Sequence, residues 1–262
     1  MSSLPVPKFS LLDAVLSGVT IEQAVANIIS YAVDGAKHFV CVFAVDSLLR
    51  CHDSAALREV QQAADMTLCD GMPLVFVGRK IARLPMNRCY GPDVMLKTIE
   101  AGVRGGLKHF FYGGKDADTV AKLEAALLEK FPEMKIAGHY IPPFRPLAPE
   151  EKADVVERIN GSGADIVWVG TGTPKQDFWC AEFRPLLNAP VFVAVGAAFN
   201  FHAGTVAQAP RWMMRVGLEW LFRLLAEPRR LWRRYIIGNP RFLLLVLRQL
   251  ITRKPHRLGE RL

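Results

Sequence analysis

Residues 66–93, MTLCDGMPLVFVGRKIARLPMNRCYGPD, contain the pattern of a strand, a turn and the beginnings of two helices. The first four residues predict a short buried strand, and Asp70 and Gly71 follow where that strand ends. In an open α/β sheet, ligands bind at the carboxyl ends of the strands. We therefore expect the Asp70 carboxylate at a ligand-binding edge. An alternative stays open here, namely that Asp70 only caps the helix after it, because Asp is a favoured cap residue.

Positive charge follows Asp70 within the same stretch. Arg83 and Arg88 precede Tyr90 and Gly91, where a turn leads into a helical pattern over 94–103. An acid, nearby cations and glycine turns within ~30 residues, about one βα unit, indicate a polar site for an anionic ligand.

The rest of the chain alternates strand-like apolar runs with amphipathic helical patterns. This βα alternation predicts a Rossmann-like, mostly parallel sheet flanked by helices on both faces. Strands are predicted at 9–12, 38–45, 109–112, 134–140, 164–169 and 191–195, and helices at 20–31, 57–64, 116–131, 149–159 and 174–187.

Two further glycine turns follow predicted strands. In the first, GTGTPKQ at 170–176, Pro stands at the predicted first position of a helix, so free backbone N–H groups are expected to hold a phosphate or diphosphate. The second, GAAFNF at 196–201, places an Asn where it can contact a hydroxyl or a base. Tight packing of helix on strand is the alternative for both turns. The candidate binding residues are Gly170, Thr171, Gly172, Pro174, Gln176, Gly196 and Asn200.

Signatures of metal sites and of catalytic nucleophiles are missing from the sequence. Asp116-Ala-Asp118 has the DxD form of metal-dependent sugar transferases, but it opens a helix, where Asp serves as a cap. The six histidines show no HxxxH or HxH spacing, and the five cysteines form no CxxC pair. We therefore expect reduced thiols, no metal and no cofactor.

The positive charge of the chain belongs to its C-terminal tail. From residue 211 onward, 13 Lys and Arg stand against three Glu, so the tail carries +10 while residues 1–210 carry −2. Aromatic and aliphatic residues alternate with these arginines, which is typical of amphipathic helices on an anionic membrane face. No nucleic-acid-binding motif accompanies the charge, so we expect no nucleic acid partner. A solvated helical layer and a homo-oligomer contact are the alternatives.

These features predict two domains and a location. The α/β core is predicted over residues 1–208, and a basic helical membrane-associating appendage over 209–262. The sequence shows no secretory signal and no run of ~20 apolar residues that would span a membrane. We therefore expect a peripheral protein on the cytoplasmic face of the inner membrane.

Several motifs occur in one order along nearly the whole chain. They are CDGMP at 69–73, RCYGPD at 88–93, YGG at 112–114, VGTGTPKQD at 169–177, APRW at 209–212, GLEW at 217–220, RL at 223–224 and EPR at 227–229. From about residue 9 to 241 the chain resembles the bacterial glycosyltransferases of family 26. That family includes N-acetylmannosaminyl-, N-acetylmannosaminuronic acid and exopolysaccharide glucosyltransferases.

The resemblance implies an inverting, metal-independent transferase. Such enzymes move a sugar from a UDP donor to a hydroxyl of a monosaccharide linked to polyprenyl diphosphate. Asp70 occupies the position of the family's proposed general base, a role in which a carboxylate takes the acceptor's proton. Basic residues would meet the charge of the leaving UDP. By motif position the resemblance implies Arg223, Arg230 and Arg233, with Arg229 and Arg234 as neighbours, and Gln176 beside the turn at 170. Arg88 as a catalytic residue, and Tyr90 and Gly91 as binding residues, complete the candidate site.

The sequence departs from the family pattern near the base. Where the family has Thr-x-Asn, this chain has Ala44-Val45-Asp46, so Asp46 adds a second carboxylate that would raise the pKa of a nearby Asp70. Gln208 and Asn200 also replace the usual residues. These changes favour UDP-glucose and a β-1,4 link in exopolysaccharide biosynthesis.

Three other functions remain open from the sequence. One is transfer of N-acetylmannosamine or N-acetylmannosaminuronic acid from UDP to a GlcNAc-diphosphate-lipid. The others are non-enzymatic: a nucleotide-sugar sensor, or a peripheral membrane scaffold that uses the basic tail.

Overall fold

The structure is a computed structural model that describes residues 3–252 and 257–258. The strands are β1 (Lys8–Leu11), β2 (Ala14–Ser17), β3 (His38–Phe43), β4 (Met66–Cys69), β5 (Lys108–Gly113), β6 (Lys135–Tyr140), β7 (Ile166–Gly170), β8 (Val191–Ala194) and β9 (Arg257–Leu258). The other residues of the predicted appendage, 253–256 and 259–262, lie outside the described residues, as do residues 1–2 of the predicted core.

Helices connect and cover these strands. They are α1 (Ile21–Tyr31), α2 (Val45–Asp53), α3 (Ala55–Gln62), α4 (Met72–Lys80), α5 (Gly91–Val103), α6 (Ala117–Lys130), α7 (Pro149–Ser162), α8 (Lys175–Phe183), α9 (Ala198–His202), α10 (Arg211–Arg215), α11 (Glu219–Ala226), α12 (Pro228–Trp232) and α13 (Gly238–Thr252). A π-helical turn, Arg233–Ile237, joins α12 to α13.

The main sheet has six parallel strands in the order β4-β3-β8-β7-β5-β6. Successive side chains of a strand point to opposite faces. In β3, Phe39, Cys41 and Phe43 accordingly join one hydrophobic cluster, and Val40 and Val42 join the other. The prediction of a mostly parallel sheet with helices on both faces is confirmed.

The structure differs from the sequence prediction at two places near the sheet. A short antiparallel sheet, β2-β1-β9, was not predicted beyond its first strand. The strand predicted through Val45 ends at Phe43, and α2 begins at Val45 with Ala44 as its N-cap. Asp46 thus lies in the first turn of a helix, where a negative charge is favoured by the helix dipole.

The DxD sequence has the structural role predicted for it. Asp116 is the N-cap of α6, and its Oδ1 accepts a hydrogen bond from the Thr119 backbone N at 2.9 Å. Asp118 pairs with Lys122 on the exposed face of the same helix. The DxD residues therefore begin a helix.

The C-terminal helices fold back onto the core. Phe242 and Val246 of α13 are buried in the hydrophobic cluster that contains one face of β3. Arg241 donates two hydrogen bonds to the Asp53 carboxylate, at 2.7 and 2.5 Å, and so ties α13 to the end of α2. This docking brings α11 and the π-helical turn beside Asp70 at the carboxyl ends of β3 and β4.

Candidate active site

Asp70 lies directly after β4, at the carboxyl edge of the sheet. Its backbone N donates to the carbonyl O of Phe43 at 2.9 Å, which continues the pairing of β4 with β3 by one residue. The N-cap of α4 is Gly71, and no side chain caps that helix. The alternative that Asp70 serves only as a helix cap is therefore wrong, because its carboxylate is used elsewhere.

Arg88 connects two carboxylates. Its Nη2 donates to Asp70 Oδ1 at 2.7 Å and to Glu219 Oε2 at 2.6 Å. Its Nε lies 3.0 Å from the same Asp70 oxygen and 2.5 Å from the Asp70 carbonyl O. The guanidinium carbon also lies 4.4 Å from the centre of the Tyr90 ring, a cation–π contact. One cation is thus held between two anions and an aromatic face.

The environment of Asp70 favours its protonated form. Burial raises the pKa of Asp70 above its ordinary value; the positive charge of Arg88 opposes that shift, and the negative charge of Glu219 adds to it. Burial alone would lower the pKa of Arg88, but the two carboxylates outweigh it, so that pKa is raised. Asp70 therefore binds a proton more readily than a solvated Asp, as a general base near neutral pH should.

The Asp46 carboxylate pairs with arginines and does not act on Asp70 as expected. It pairs with Arg50 Nε at 3.0 Å, one turn along α2, and lies 3.9 Å from Arg234 Nε. The sequence pointed to Asp46 as the carboxylate that raises the pKa of Asp70, whereas in the structure Glu219 does so. The reason is tertiary: α11 carries its carboxylate to Arg88, and Asp46 has cations of its own.

Two cavities meet at Asp70. One, of about 330 Å³, has a largely apolar lining that includes Met72, Trp220 and Phe242. The other, of about 370 Å³, is polar and is formed by the turns after β7 and β8 together with arginines. Residues that line both are Ala44, Asp46, Asp70, Glu219, Arg223 and Arg234. A group in either cavity would thus have access to the Asp70 carboxylate.

The turn after β7 is held by Gln176. The side-chain Oε1 of Gln176 accepts from Gly172 N at 3.0 Å, and its backbone N donates to the Gly172 carbonyl at 3.0 Å. Its Nε2 also donates to the Ala194 carbonyl of β8 at 3.3 Å. The sequence predicted free N–H groups here, but Gln176 already binds that of Gly172. Gln176 lines the polar cavity and shapes it by fixing this turn.

Close packing explains two of the predicted binding glycines. A Cβ on Gly170 would lie 2.7 Å from the Phe199 ring, and one on Gly91 would lie 3.2 Å from the Val195 carbonyl O. Gly196, by contrast, lines the polar cavity with a φ of 57°, a conformation that favours glycine. Of the other predicted residues, Tyr90, Gly172, Gln176 and Asn200 line the polar cavity, and Thr171 and Pro174 are not among its lining residues.

The appendage arginines divide into two groups. Arg223 and Arg234 line both cavities, and Arg230 lines the polar one. The Nε of Arg223 is buried and has no hydrogen-bond partner among the described residues. Arg229 and Arg233 line neither cavity, and Arg233 lies over the Trp232 ring. Because it lines both cavities, Arg223 is suited to bind an anionic ligand there.

Comparison with known proteins identifies the family. A sequence profile described as the Glycosyl transferase WecG/TagA/CpsF family matches residues 9–256. This chain belongs to that family. It is also 30% identical over 208 residues to an N-acetylglucosaminyldiphosphoundecaprenol N-acetyl-beta-D-mannosaminyltransferase of Bacillus spizizenii (strain ATCC 23059 / NRRL B-14472 / W23), a match that covers 77% of this chain and 76% of the relative. The resemblance drawn from the motifs is confirmed.

Family membership makes this protein a glycosyltransferase, so the enzyme interpretation is favoured over the sensor and the scaffold. Within residues 3–252 and 257–258, none of the helices has the length and apolar character that a bilayer span requires. The same part of the chain has no group of three His, Cys, Asp or Glu side chains arranged to hold a metal ion.

Sequence reasoning missed two functional candidates of this glycosyltransferase. Glu219 stands 131 residues after Arg88, and only the docking of α11 brings the two together. Arg234 was treated as a neighbour of the implied arginines, yet it reaches both cavities. The GLEW motif was the available signal for Glu219, since an acid among many arginines stands out from its surroundings.

Proposed function

We propose that this glycosyltransferase moves an N-acetylmannosaminyl residue from UDP to N-acetylglucosamine carried on a polyprenyl diphosphate. The observation that carries the proposal is the position of Asp70 between a polar and an apolar cavity. A transferase for a nucleotide sugar and a lipid-linked sugar needs one site of each kind, with a base where they meet.

We base the identity of the two sugars on the Bacillus spizizenii relative, and not on the residues that depart from the family pattern. The residues Ala44, Asp46 and Asn200 favoured UDP-glucose and an exopolysaccharide link. The Bacillus spizizenii relative is named for N-acetylmannosaminyl transfer to a GlcNAc-diphosphate-lipid. We therefore adopt the alternative donor and acceptor over glucose.

In this proposal the polar cavity holds the UDP-sugar. Arg223, Arg230 and Arg234 line this cavity and supply positive charge for the diphosphate. Guanidinium groups bind phosphate oxygens in a fixed geometry and meet the charge that develops as UDP leaves. Asn200 lines the same cavity and can read a hydroxyl or a base.

The apolar cavity takes the acceptor. Its wall includes Trp220 and Phe242, and an aromatic face next to a carboxylate suits a sugar followed by a lipid chain. Leu243 also lines this cavity, while Leu244 and Ile251 of the same helix expose 68% and 86% of their surface. We therefore place α13 at a membrane surface, on the cytoplasmic side, so that the acceptor passes from lipid to Asp70.

Transfer is a single displacement at the anomeric carbon. The acceptor hydroxyl oxygen bonds to that carbon while the bond to the UDP oxygen breaks, and UDP leaves with the electron pair. The hydroxyl proton passes to Asp70. Arg88 binds Oδ1 of Asp70, and no described residue donates to Oδ2, so Oδ2 is the oxygen that accepts the proton. One displacement inverts the configuration of the donor sugar.

The function is tested by measuring transfer in EDTA from UDP-N-acetylmannosamine, UDP-N-acetylmannosaminuronic acid and UDP-glucose onto synthetic GlcNAc- and glucosyl-diphosphate-lipids. We expect UDP-N-acetylmannosamine and the GlcNAc lipid to be the productive pair. Asp70→Asn should lower transfer by about 100-fold or more and leave UDP binding intact. The matched control is Asp154→Asn, which removes an exposed carboxylate of α7.

Each other outcome contradicts one part of the proposal. Turnover of UDP-glucose on the glucosyl lipid would restore the glucose interpretation. Full activity of Asp70→Asn would remove Asp70 as the base. UDP binding without transfer to any acceptor would favour the sensor.

Membrane contact is tested separately by co-sedimentation with vesicles that contain anionic lipid. Wild type should sediment with the vesicles, and Leu244→Glu should do so less, because it adds a charge to the exposed apolar face of α13. Equal sedimentation of both proteins would count against this face.

A further inference from the structure

We propose that Glu219 is a positioning residue that, by sharing the Arg88 guanidinium with Asp70, sets how strongly Asp70 attracts the acceptor's proton. This inference rests on the proposed role of Asp70 as the base. It adds a residue from the C-terminal helices to the Asp70–Arg88 pair of the core.

The geometry of the sharing is specific. A single nitrogen, Arg88 Nη2, donates to Asp70 at 2.7 Å and to Glu219 at 2.6 Å. Arg88 is only 18% exposed, Asp70 23% and Glu219 15%. With so little water around them, the charges are weakly screened, and each carboxylate changes the field at the other. Two anions on one cation leave the group with a net charge of −1.

The charge of Glu219 changes the proton affinity of Asp70. If Arg88 paired with Asp70 alone, a full positive charge would favour the ionised carboxylate and make it a weak base. Glu219 takes part of that charge, so Asp70 retains its affinity for a proton. Burying an ion pair together with a second acid is costly, which is the pattern expected where function rather than stability selects the residues.

The other groups around Asp70 do not replace Glu219. Arg234 of the π-helical turn acts in the same direction as Arg88 and lowers the pKa of Asp70. Burial raises the pKa of the Cys69 and Cys89 thiols and of the Tyr90 hydroxyl, so these groups stay neutral while Asp70 titrates. The remaining charged groups that line the same cavities are Asp46 and Arg50 on α2, Arg223 on α11 and Arg230 on α12.

Tethering of the C-terminal helices does not require Glu219. The Arg241–Asp53 pair already ties α13 to α2. Its side chains are 43% and 49% exposed, so it is much more open to water than the Arg88 group. Because Asp70 and Arg88 belong to the core and Glu219 to α11, the base reaches its working strength only when these helices are docked.

The test is the pH dependence of kcat/KM for the full-length enzyme with its productive substrates. In wild type the rate rises with pH as Asp70 loses its proton. In Glu219→Gln, which keeps size and hydrogen bonding, we expect the acid limb to move to lower pH and the plateau to fall, because a weaker base accepts the proton less readily. Glu219→Asp, which keeps the charge, should have an acid limb closer to that of wild type.

Asp53→Asn is the matched control, since it removes a carboxylate that holds the C-terminal helices and lines neither cavity. Its acid limb should coincide with that of wild type. If Glu219→Gln lost activity without any displacement of the acid limb, or changed neither, Glu219 would be only a structural contact and the inference would be wrong.

Two measurements keep this inference separable from the proposed function. Full transfer by Asp70→Asn would remove the base itself, whereas loss of transfer in Asp70→Asn with an unmoved limb in Glu219→Gln would remove only the inference. If Glu219→Gln is too slow for a profile, the Asp70 carboxyl is titrated by ¹³C NMR in aspartate-labelled protein. A carboxyl resonance that titrates at the same pH in both proteins would overturn the inference.

Discussion

Two aspartates of this enzyme, Asp70 after β4 and Asp177 after β7, follow strands of the same parallel sheet and have opposite surroundings. Asp70 has a cation, a second carboxylate and two cavities beside it. Asp177, in the first turn of α8, is fully buried, and neither of its carboxylate oxygens has a hydrogen-bond partner of good geometry among the described residues. Burial raises the pKa of both, that of Asp177 to about 6.

The difference indicates which of the two aspartates with a raised pKa can act in catalysis. The Cys41 thiol and the Thr173 hydroxyl lower the pKa of Asp177 and so offset the effect of burial only in part. Neither cavity includes Asp177 in its lining. A substrate can therefore give its proton to Asp70 and cannot reach Asp177. We expect changes around Asp70 to alter the rate and changes at Asp177 to alter the stability.

The largest effect is expected when Asp70 is made to resemble Asp177 by removal of its cation. Arg88→Gln leaves Asp70 and Glu219 as two adjacent carboxylates, so the pKa of Asp70 should rise further. The acid limb of kcat/KM should move to higher pH, the opposite of Glu219→Gln. On that acid limb, transfer should fall by about tenfold for each unit by which the pKa of Asp70 rises, since a larger fraction of the base is protonated.

The control for this variant is Arg145→Gln, which removes an exposed guanidinium that pairs with Glu151. Its profile should match that of wild type. An acid limb that stays in place in Arg88→Gln would mean that Arg88 does not set the state of Asp70, and the contrast between the two aspartates would lose its basis.

The sequence predicted the parts of this contrast that depend on local order. Asp70 and Arg88 lie 18 residues apart within one βα unit, and a strand end followed by a turn was enough to bring them together. The parallel sheet followed from apolar strands alternating with helices. These inferences succeed because backbone periodicity and turn residues are local properties.

The sequence could not predict contacts that the docking of distant elements creates. Glu219 reaches Arg88 only because α11 folds over the sheet edge, and Gln176 binds Gly172 instead of leaving its N–H free. The helix at Val45 was assigned to a strand because Ala44 and Val45 continue the apolar run of β3. The burial of Asp177 likewise depends on how α8 packs, which no single residue type reveals.

The smaller effect is expected at Asp177 and concerns stability. Its carboxyl has a pKa of about 6 in the folded protein against an ordinary value of 3.8, so the folded state binds the proton more tightly than the unfolded state. Stability therefore falls as pH rises from about 4 to 6, and the cost is fully present above that window. Asp177→Asn removes the charge and should raise the free energy of unfolding at pH 7.5 by about 1–3 kcal/mol.

Urea unfolding measured across this pH window decides the point. The gain from Asp177→Asn should be small near pH 4 and grow to its full value by about pH 7, while kcat/KM changes little. Asp118→Asn, which alters an exposed carboxylate paired with Lys122, should show no such growth. If the variant and wild type lost stability in parallel as pH rose, the buried charge of Asp177 would not be the source of the pH-dependent loss. A difference between the two proteins that grows between pH 4 and 6 requires a group whose pKa is about 3.8 unfolded and about 6 folded.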